Sequence, residues 1–265
     1  MGAALAKEFH KAGLHVYATA RDASKMPSLT SLGIETLVLD IQSESSIQAC
    51  ASKISSLDIL INNAGASYTM PISDLSIPEA KDIFDLNVWG QIATTQAFLP
   101  LLLKSPQGMI VNHTSVGATM SMPFQAVYNA SKSAMSRFSD TLRLELEPFS
   151  VSVVELRTGG VKTNVVKNVQ AKQPKLPANS IYSPAKEVVE KALRVEYFEG
   201  MGITAEQWAI EVVADLLKKS PRPVIWRGES AWLASFGRFF PFGWFDGMVR
   251  KMTGLDQVER IVRKQ

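Results

Sequence analysis

The segment "HTSVGATMSMPFQAVYNASKSAM" carries the residues of this chain that are best suited to chemistry. Tyr128 and Lys132 are four residues apart, so on a helix both side chains lie on the same face. A fixed ammonium near a phenol lowers the tyrosine pKa and suits it to proton exchange with an alcohol or carbonyl oxygen. Ser115, at the end of the preceding apolar run, could hydrogen-bond that same oxygen. The pair alone is weak evidence, because this spacing is common on amphipathic helices.

Six apolar runs alternate with helical patterns, and this alternation indicates the architecture that positions these residues. The runs are "HVYATA", "IETLVLDI", "LDILINNAG", "GMIVNHTS", "SVSVVEL" and "PVIWRG", and helical periodicity is found near residues 43–55, 78–103, 124–148, 183–198 and 204–219. Strands that are apolar on both faces and separated by helices indicate a parallel sheet covered on both sides. The sequence therefore predicts one α/β domain over residues 1–265, with a doubly wound, Rossmann-type parallel sheet.

Polar residues follow several of the predicted strands. In doubly wound sheets, ligands bind beyond the carboxyl ends of the strands. Candidates for one shared crevice are therefore Arg21, Asp40, Asn62, Asn63 and Ser115.

Composition excludes several classes of function. The formal net charge of +3 is too small to indicate nucleic-acid binding. The single cysteine, Cys50, has no partner for an internal disulfide and is expected to be a buried, small apolar residue, which fits a reducing compartment. No apolar run is long enough to span a membrane. No two of His10, His15 and His113 have metal-ligand spacing, so no metal is expected.

Four motifs in this order resemble the short-chain dehydrogenase/reductase family over nearly the whole chain. They are "NNAG" at residues 62–65, Asn87 within "LNVWG", "YNASK" and "TGGVKT" at residues 158–163. The resemblance implies a nicotinamide cofactor, with Tyr128 as acid or base and Lys132 holding the ribose and lowering the tyrosine pKa. It also implies that Ser115 polarises the carbonyl and that Asn87 relays protons through water. Cofactor contacts are implied for Asn63, Ala64, Gly65, Tyr128, Lys132, Val161 and Thr163.

The choice of cofactor is indicated by Arg21, which follows "HVYATA". An acidic residue there would bind the adenosine ribose hydroxyls, whereas an arginine suits a phosphate on that ribose, so NADPH is the expected cofactor. A solvated loop arginine is the alternative. Asp40 resembles the family residue that contacts the adenine, and its alternative is a helix cap. Thr158 stands where many members have proline.

The first residues, "MGAALAKEFHKAGLHVYATAR", predict a helix followed by a strand. Members of the resembled family begin with a strand and a Thr-Gly-x-x-x-Gly-x-Gly turn, which brings the backbone close to the cofactor pyrophosphate at a helix N-terminus. Gly2 matches the last glycine of that turn. We therefore expect the first strand and most of the Gly-rich turn to be missing, through a start assigned too late or a shortened chain rather than a functional truncation. Cofactor affinity should then be poor.

Residues 157–182 correspond to the mobile substrate lid of the resembled family. The segment has no acidic residue and carries five basic ones, Arg157, Lys162, Lys167, Lys172 and Lys175. Such a lid could attract a phosphate-bearing or otherwise anionic substrate, and solvated charges are the alternative.

The tail, residues 229–265, is both aromatic and basic. Seven aromatic residues lie between Trp232 and Phe245, and they are followed by Arg250, Lys251, Arg260, Arg263 and Lys264. This combination is typical of an interfacial membrane anchor whose attachment to anionic lipid is sensitive to salt. A core-packing helix or the subunit interface of a homo-oligomer is the alternative.

The tail, "ATAR" and "TGGVKT" together resemble the fungal 1-acyldihydroxyacetone-phosphate reductase group. The resemblance implies NADPH-dependent reduction of a ketone to a secondary alcohol, on a small molecule or an acyl lipid. Two alternatives are a tailoring reductase of secondary metabolism and a truncated, catalytically inactive binding protein of the same fold. The expected location is cytoplasmic, with peripheral attachment to endoplasmic reticulum or lipid droplets if the tail binds lipid.

Overall fold

The six apolar runs all form strands in the computed structural model, which describes residues 1–264 and, at Arg238, the backbone only. These strands are β1 (Tyr17–Ala20), β2 (Glu35–Val38), β3 (Ile59–Asn62), β4 (Met109–Ser115), β5 (Ser152–Thr158) and β8 (Val224–Arg227). Two short strands between them, β6 (Val161–Lys162) and β7 (Ile203–Thr204), were not predicted.

The strands pair in parallel, as the alternation with helices predicted. One sheet has the order β3-β4-β5-β8, and its register places Ile61 beside Val111 and Val111 beside Val154. Strands β1 and β2 form a separate parallel pair, and so do β6 and β7. The doubly wound parallel fold is thereby confirmed. The expectation that a first strand is missing stays a prediction.

Twelve helices are found within residues 1–264. They are α1 (Gly2–Lys11), α2 (Pro27–Thr30), α3 (Glu44–Ala51), α4 (Ile77–Phe84), α5 (Gly90–Leu102), α6 (Ala126–Leu146), α7 (Asn164–Ala171), α8 (Lys186–Leu193), α9 (Ala205–Leu216), α10 (Ala231–Phe236), α11 (Asp246–Thr253) and α12 (Leu255–Val262). Hydroxyl side chains cap several N-termini; for example, Ser43 accepts a hydrogen bond from Ser46 N at the start of α3. None of the helices in this part of the chain is long and apolar enough to cross a bilayer.

Alternate residues of the central strands face opposite helical layers. Val111 packs with helices α1 and α9 in a cluster that contains Phe9 and Trp208. Its neighbour Ile110 packs on the other side, in a cluster with Leu102 of α5. Because successive strand side chains point to opposite faces, both sides of the sheet are covered and buried. The apolar runs of the sequence are explained by this double burial.

The tail packs on the rest of the fold at several places, and two of them involve a glycine. At the first, Gly160 and Glu229 exchange two backbone hydrogen bonds just before α10. At the second, α11 ends at Gly254, whose φ of +76° favours glycine. A Cβ at Gly254 would approach Val188 of α8 to 2.8 Å, so the turn between α11 and α12 packs closely on that helix.

Candidate active site

Tyr128 and Lys132 lie on the same face of α6, as their spacing predicted. The Lys132 ammonium is buried, donates a hydrogen bond to the backbone oxygen of His113 at 3.0 Å, and lies 6.0 Å from the centroid of the Tyr128 ring. Strand β4 and helix α6 therefore hold the two residues together at the carboxyl end of the sheet.

The ionisation of this pair differs in part from the expectation. Burial raises the pKa of Tyr128, and the Ser115 hydroxyl, as a hydrogen-bond partner, partly opposes that rise. The net shift is therefore upward, because burial outweighs the lowering that the sequence analysis expected from Lys132. Burial also lowers the pKa of Lys132 from its ordinary 10.5 to about 8. At neutral pH the phenol is therefore protonated and the lysine is mainly charged.

Ser115 ends β4 and faces the same cleft. Its hydroxyl accepts a hydrogen bond from Gly117 N at 3.1 Å, which fixes the turn that follows the strand. A Cβ at Gly117 would lie 2.8 Å from Asn129 Oδ1 and 3.5 Å from both Ser115 Oγ and a Tyr128 ring carbon. The glycine therefore leaves room for a small group between the serine and the tyrosine.

Asn87 lies in a π-helical turn, Asp85–Trp89, between α4 and α5. Such turns inside helices are frequent at functional sites. The buried Asn87 amide accepts a hydrogen bond from Ala66 N at 2.9 Å and donates to Ala66 O at 2.9 Å and to Ser131 Oγ at 3.0 Å. The amide thus fixes the loop that follows "NNAG" to the helix that carries Tyr128.

The "NNAG" residues divide between structure and site. Asn62 points into the core, where its amide donates to Thr95 and Asn112, so it does not join the crevice that the sequence analysis predicted. Ala64 accepts a hydrogen bond from the Gln91 side chain at 2.7 Å. A Cβ at Gly65 would lie 3.1 Å from Asn87 Oδ1 and 3.4 Å from Lys132 Nζ, so this position suits a residue without a side chain.

His113 is a functional candidate that sequence reasoning missed. Its Nδ1 lies 3.0 Å from Asn63 Oδ1 and its Nε2 lies 2.7 Å from Thr158 Oγ1. Because an amide oxygen only accepts, Nδ1 carries the proton and Nε2 accepts from the threonine hydroxyl. Burial, with a smaller contribution from the Lys132 ammonium, lowers the pKa of His113 to about 3. One neutral ring therefore links the loop after β3 to the end of β5, and the only signal in the sequence was a polar residue within an apolar strand.

These residues surround a cleft of about 690 Å³. The predicted site residues that line it are Asn63, Gly65, Ser115, Tyr128, Lys132, Val161 and Thr163. Asn129 also lines it, and the Oδ1 atom of this residue is buried without a hydrogen-bond partner in the described part of the chain. An unpaired acceptor beside Tyr128 is free to bind a donor group of a ligand, and the sequence analysis did not single it out.

The remaining predicted site residues are not among those that line the cleft: Gly2, Arg21, Asp40, Ala64 and Asn87. Gly2 begins α1, and a Cβ there would approach the Asn63 amide to 2.8 Å. Arg21 follows β1, is exposed, and makes no ion pair or side-chain hydrogen bond within residues 1–264. Asp40 follows β2 and accepts a hydrogen bond from Gln42 N at 3.0 Å, while Ser43 caps the next helix. Asp40 therefore does not cap this helix, and the capping alternative is wrong.

The predicted lid segment starts too early, at a residue that belongs to the sheet. Arg157 belongs to β5, where its guanidinium pairs with the buried Glu155 at 2.8 Å and stacks on Trp226 at 4.9 Å. Strand pairing continues to Thr158, so the segment that covers the cleft begins after that residue. Thr163 caps α7 by accepting a hydrogen bond from Val165 N, and α7 then runs along the cleft.

Comparisons with known proteins agree with this geometry. The family model described as short chain dehydrogenase matches residues 1–174, and the chain belongs to the short-chain dehydrogenase/reductase family. It is 54% identical over 264 residues to a short-chain dehydrogenase/reductase of Pestalotiopsis microspora, with 99% of this chain and 93% of the relative covered. It is 35% identical over 273 residues to the NADPH-dependent 1-acyldihydroxyacetone phosphate reductase of Schizosaccharomyces pombe, with 96% and 90% covered.

The fold agrees with solved structures as well. A crystal structure of a short chain dehydrogenase from Burkholderia cenocepacia in complex with NADP matches with a TM-score of 0.73 at 23% identity, covering 94% of this chain and 92% of that one. The likeness shows the shared fold. The protein is thus an oxidoreductase of a family that binds a nicotinamide cofactor.

The residues present fit such a cofactor. Gly65 leaves the wall of the cleft open beside Asn87 and Lys132, and a side chain there would narrow it. The amide groups at the start of α1 lie next to Asn63 on the rim, where helix N-termini favour phosphate groups. Lys132 would hold the ribose and Asn63 the neighbouring part of the nucleotide.

Proposed function

We propose that this enzyme reduces a ketone to a secondary alcohol with NADPH. The observation that carries the proposal is the convergence of Ser115, Tyr128 and Lys132 on one side of a cleft large enough for a cofactor and a substrate. Pockets of about 300–1,000 Å³ are usual for small-molecule sites. Three side chains from two different elements are needed for this chemistry, and all three line the same space.

Each residue has a role that follows from its state. NADPH, when bound, supplies the hydride that the carbonyl carbon receives. The carbonyl oxygen takes its proton from Tyr128, whose raised pKa keeps the phenol protonated and therefore ready to donate. Ser115 donates a hydrogen bond to the same oxygen, and the Lys132 ammonium stabilises the phenolate that remains. The reduction thus consumes one hydride and one proton.

The proposal of NADPH rather than NADH rests on Arg21. Its guanidinium is exposed at the carboxyl end of β1 and has no partner in the described part of the chain, so it is free to bind a ribose phosphate. The Schizosaccharomyces pombe relative is an NADPH-dependent reductase, and this supports the same choice of cofactor.

For the substrate we propose an acyl lipid of the 1-acyldihydroxyacetone-phosphate type. The lid side of the cleft is apolar, with Val165, Val166, Val169, Phe198 and Met201, and would accommodate an acyl chain. Lys162 and Lys167 line the same cleft and could bind a phosphate. We propose that the enzyme works in the cytoplasm. This compartment is reducing, which agrees with the buried, unpaired thiol of Cys50.

The reaction is tested with Tyr128→Phe, which removes only the proton donor. We expect at least about a hundredfold loss of kcat in NADPH-dependent ketone reduction, with NADPH affinity nearly unchanged. Lys132→Ala should impair both turnover and NADPH binding. Phe149→Ser, at an exposed position outside the cleft, is the control. Reduction that survives in Tyr128→Phe would overturn the assignment, and binding of NADPH without any turnover by the unaltered protein would favour the inactive binding protein.

Cofactor choice is tested with Arg21→Ala. If Arg21 binds the ribose phosphate, its loss should weaken NADPH binding by about 1.5–3 kcal/mol and leave NADH binding unchanged. Isothermal titration with both cofactors measures the two values directly. Equal weakening of NADPH and NADH would reject this role for Arg21.

A further inference from the structure

Gln125 and Tyr197 form a hydrogen bond at the cleft, and neither residue has a part in the proposed reaction. The Gln125 Nε2 atom donates to the Tyr197 hydroxyl at 2.7 Å, although the two residues are 72 positions apart in sequence. Gln125 is 6% exposed, lines the cleft and lies three residues before Tyr128, at the start of α6. Burial raises the pKa of Tyr197 to about 12, so its phenol is protonated at neutral pH. The bond joins the helix of the catalytic tyrosine to the segment that follows α8.

The backbone next to each partner of this bond is strained. Phe124, directly before Gln125, has a φ of +66°, and Val195, two residues before Tyr197, has a φ of +51°. Positive φ is uncommon for residues other than glycine and is an outlier for a β-branched residue. Both residues are nevertheless buried, and the Phe124 oxygen accepts a hydrogen bond from Met70 N at 2.7 Å. Strain of this kind persists where the surroundings fix it, and it is concentrated at functional sites.

The Gln125 amide keeps hydrogen-bonding groups that the protein does not use. Its second N–H and its Oε1 make no hydrogen bond within residues 1–264. Its Oε1 is not enclosed, in contrast to Oε1 of Gln91, which is buried without a partner in the same part of the chain. Because the side chain lines the cleft and is otherwise buried, a molecule in the cleft can reach these groups. An ester or hydroxyl oxygen accepts from an amide N–H, and a hydroxyl also donates to an amide oxygen.

Apolar residues flank this amide on the wall of the cleft. Met122, Val195 and Phe198 all line the cleft and lie within three residues of one partner of the hydrogen bond. A ketone that offers only methylene groups here would leave the amide without water and without a partner, which is unfavourable. A site built for a hydrogen bond rejects the analogue that lacks it for this reason. Gln125 lies about one helical turn from Tyr128, so the group that meets the amide is close to the reacting carbonyl.

We propose that Gln125 is a specificity-determining residue that selects ketones with an oxygen substituent on the carbon next to the carbonyl, and that Tyr197 positions its amide. This role rests on the proposed function and deepens it, because a substrate of the 1-acyldihydroxyacetone-phosphate type carries its acyl ester oxygen on that carbon. The amide donates its second N–H to the ester, while Ser115 and Tyr128 bind the ketone oxygen. The acyl chain then continues along the apolar lid side of the cleft.

The test compares two ketones of equal chain length, butanoyloxyacetone and methyl hexyl ketone, in NADPH-dependent reduction by the full chain. The measured quantity is the ratio of kcat/KM for butanoyloxyacetone to kcat/KM for methyl hexyl ketone. The oxygen substituent also makes its ketone more electrophilic, so the change in this ratio between variants measures the contact. Gln125→Leu should lower the ratio at least about tenfold. Because both ketones react in the same site, the ratio does not depend on how much of a variant folds.

Tyr197→Phe removes the hydroxyl that holds the amide. It should lower the same ratio by about threefold or more, through a higher KM for butanoyloxyacetone. In the Gln125→Leu background it should change the ratio no further, since a residue that acts through Gln125 has nothing left to position. The matched control is Tyr182→Phe, which removes a hydroxyl from another tyrosine packed on the same apolar cluster but not lining the cleft, and it should leave the ratio unchanged.

Two results would overturn the proposal. One is a ratio that Gln125→Leu leaves unchanged, and the other is an effect of Tyr197→Phe that is equally large in the Gln125→Leu background. Isothermal titration of both ketones into the NADPH-loaded Tyr128→Phe variant, with and without Gln125→Leu, measures the same preference without turnover. If the unaltered chain reduces neither ketone but Gln125→Leu removes a binding preference for butanoyloxyacetone, the proposed function fails and the role of Gln125 stands. Binding of neither ketone would overturn both.

Discussion

The neutral ring of His113 should make the protein sensitive to acid. Burial lowers the pKa of this histidine from an ordinary 6.5 to about 3, and both ring nitrogens are already engaged. Nε2 accepts from Thr158 and can take a proton only by losing that bond. Between pH 6.5 and pH 3 the unfolded chain therefore binds one proton more than the folded chain, and stability must fall as the pH falls through this window.

The magnitude follows from the two pKa values. At pH 7.5 the unfolded histidine is mainly neutral, so the residue contributes almost nothing to the pH dependence. At pH 4.5 the unfolded histidine is about 99% charged while the folded one is mainly neutral, which removes on the order of 3 kcal/mol from the free energy of unfolding. Since His113 is 5% exposed, solvent screening does little to reduce this value. A loss of that size is a large share of the usual stability of a domain.

The assay is urea unfolding at pH 7.5 and pH 4.5, followed by far-UV circular dichroism. His113→Gln keeps a donor and an acceptor but cannot bind a proton, so its stability should fall by on the order of 3 kcal/mol less than that of the unaltered protein between the two pH values. His10→Gln makes the same substitution at an exposed histidine and is the matched control. If His113→Gln and the unaltered protein lose the same stability, the reasoning is refuted.

Three further predictions concern residues around the same ring. The pKa of Lys132 is about 8 in the folded protein and 10.5 ordinarily, so between these pH values the folded chain binds fewer protons than the unfolded chain. As the pH rises from 8 to 10.5, the free energy of unfolding of the unaltered protein should therefore rise by up to about 3 kcal/mol relative to that of Lys132→Met, as measured by urea unfolding. Thr158→Val leaves His113 Nε2 without its donor and should cost about 1–3 kcal/mol, while Thr158→Ser keeps the hydroxyl and should cost less; equal losses would contradict the hydrogen bond. Gly159→Ala would place a Cβ 2.4 Å from the Glu229 backbone oxygen and should lower the thermal midpoint, whereas Gly247→Ala, with nothing within 4 Å, should not.

Much of the fold could be predicted because its signal is repeated along the chain. A central apolar run such as "GMIVNHTS" becomes a strand buried on both faces, and double burial leaves a continuous pattern that can be found without knowing the neighbours. The short strands β6 and β7 were missed because two residues carry no periodicity. The position of α10 was missed for a related reason: it depends on hydrogen bonds between Gly160 and Glu229, which are far apart in sequence.

The site was predictable only where spacing along one element decides the geometry. Tyr128 and Lys132 share a face of α6 because helical periodicity requires it. The direction of the Lys132 ammonium was not predictable, because it depends on a carbonyl of β4. Arg157 illustrates the same limit, since a charge that sequence placed on the lid is held inside the sheet by Glu155 and Trp226.

The side chains of Thr158 and His113 depend on each other. Where many members of the family have proline, this chain has a threonine, and its hydroxyl is held by a histidine in the neighbouring strand. An apolar residue in place of His113, as the strand pattern would favour, would leave the buried Thr158 Oγ1 and the partly buried Asn63 Oδ1 without this partner. A proline in place of Thr158 would leave the ring without its donor. The loop after β3 and the end of β5 are therefore joined at the cleft through the His113 ring, which needs the hydroxyl of Thr158 as its donor.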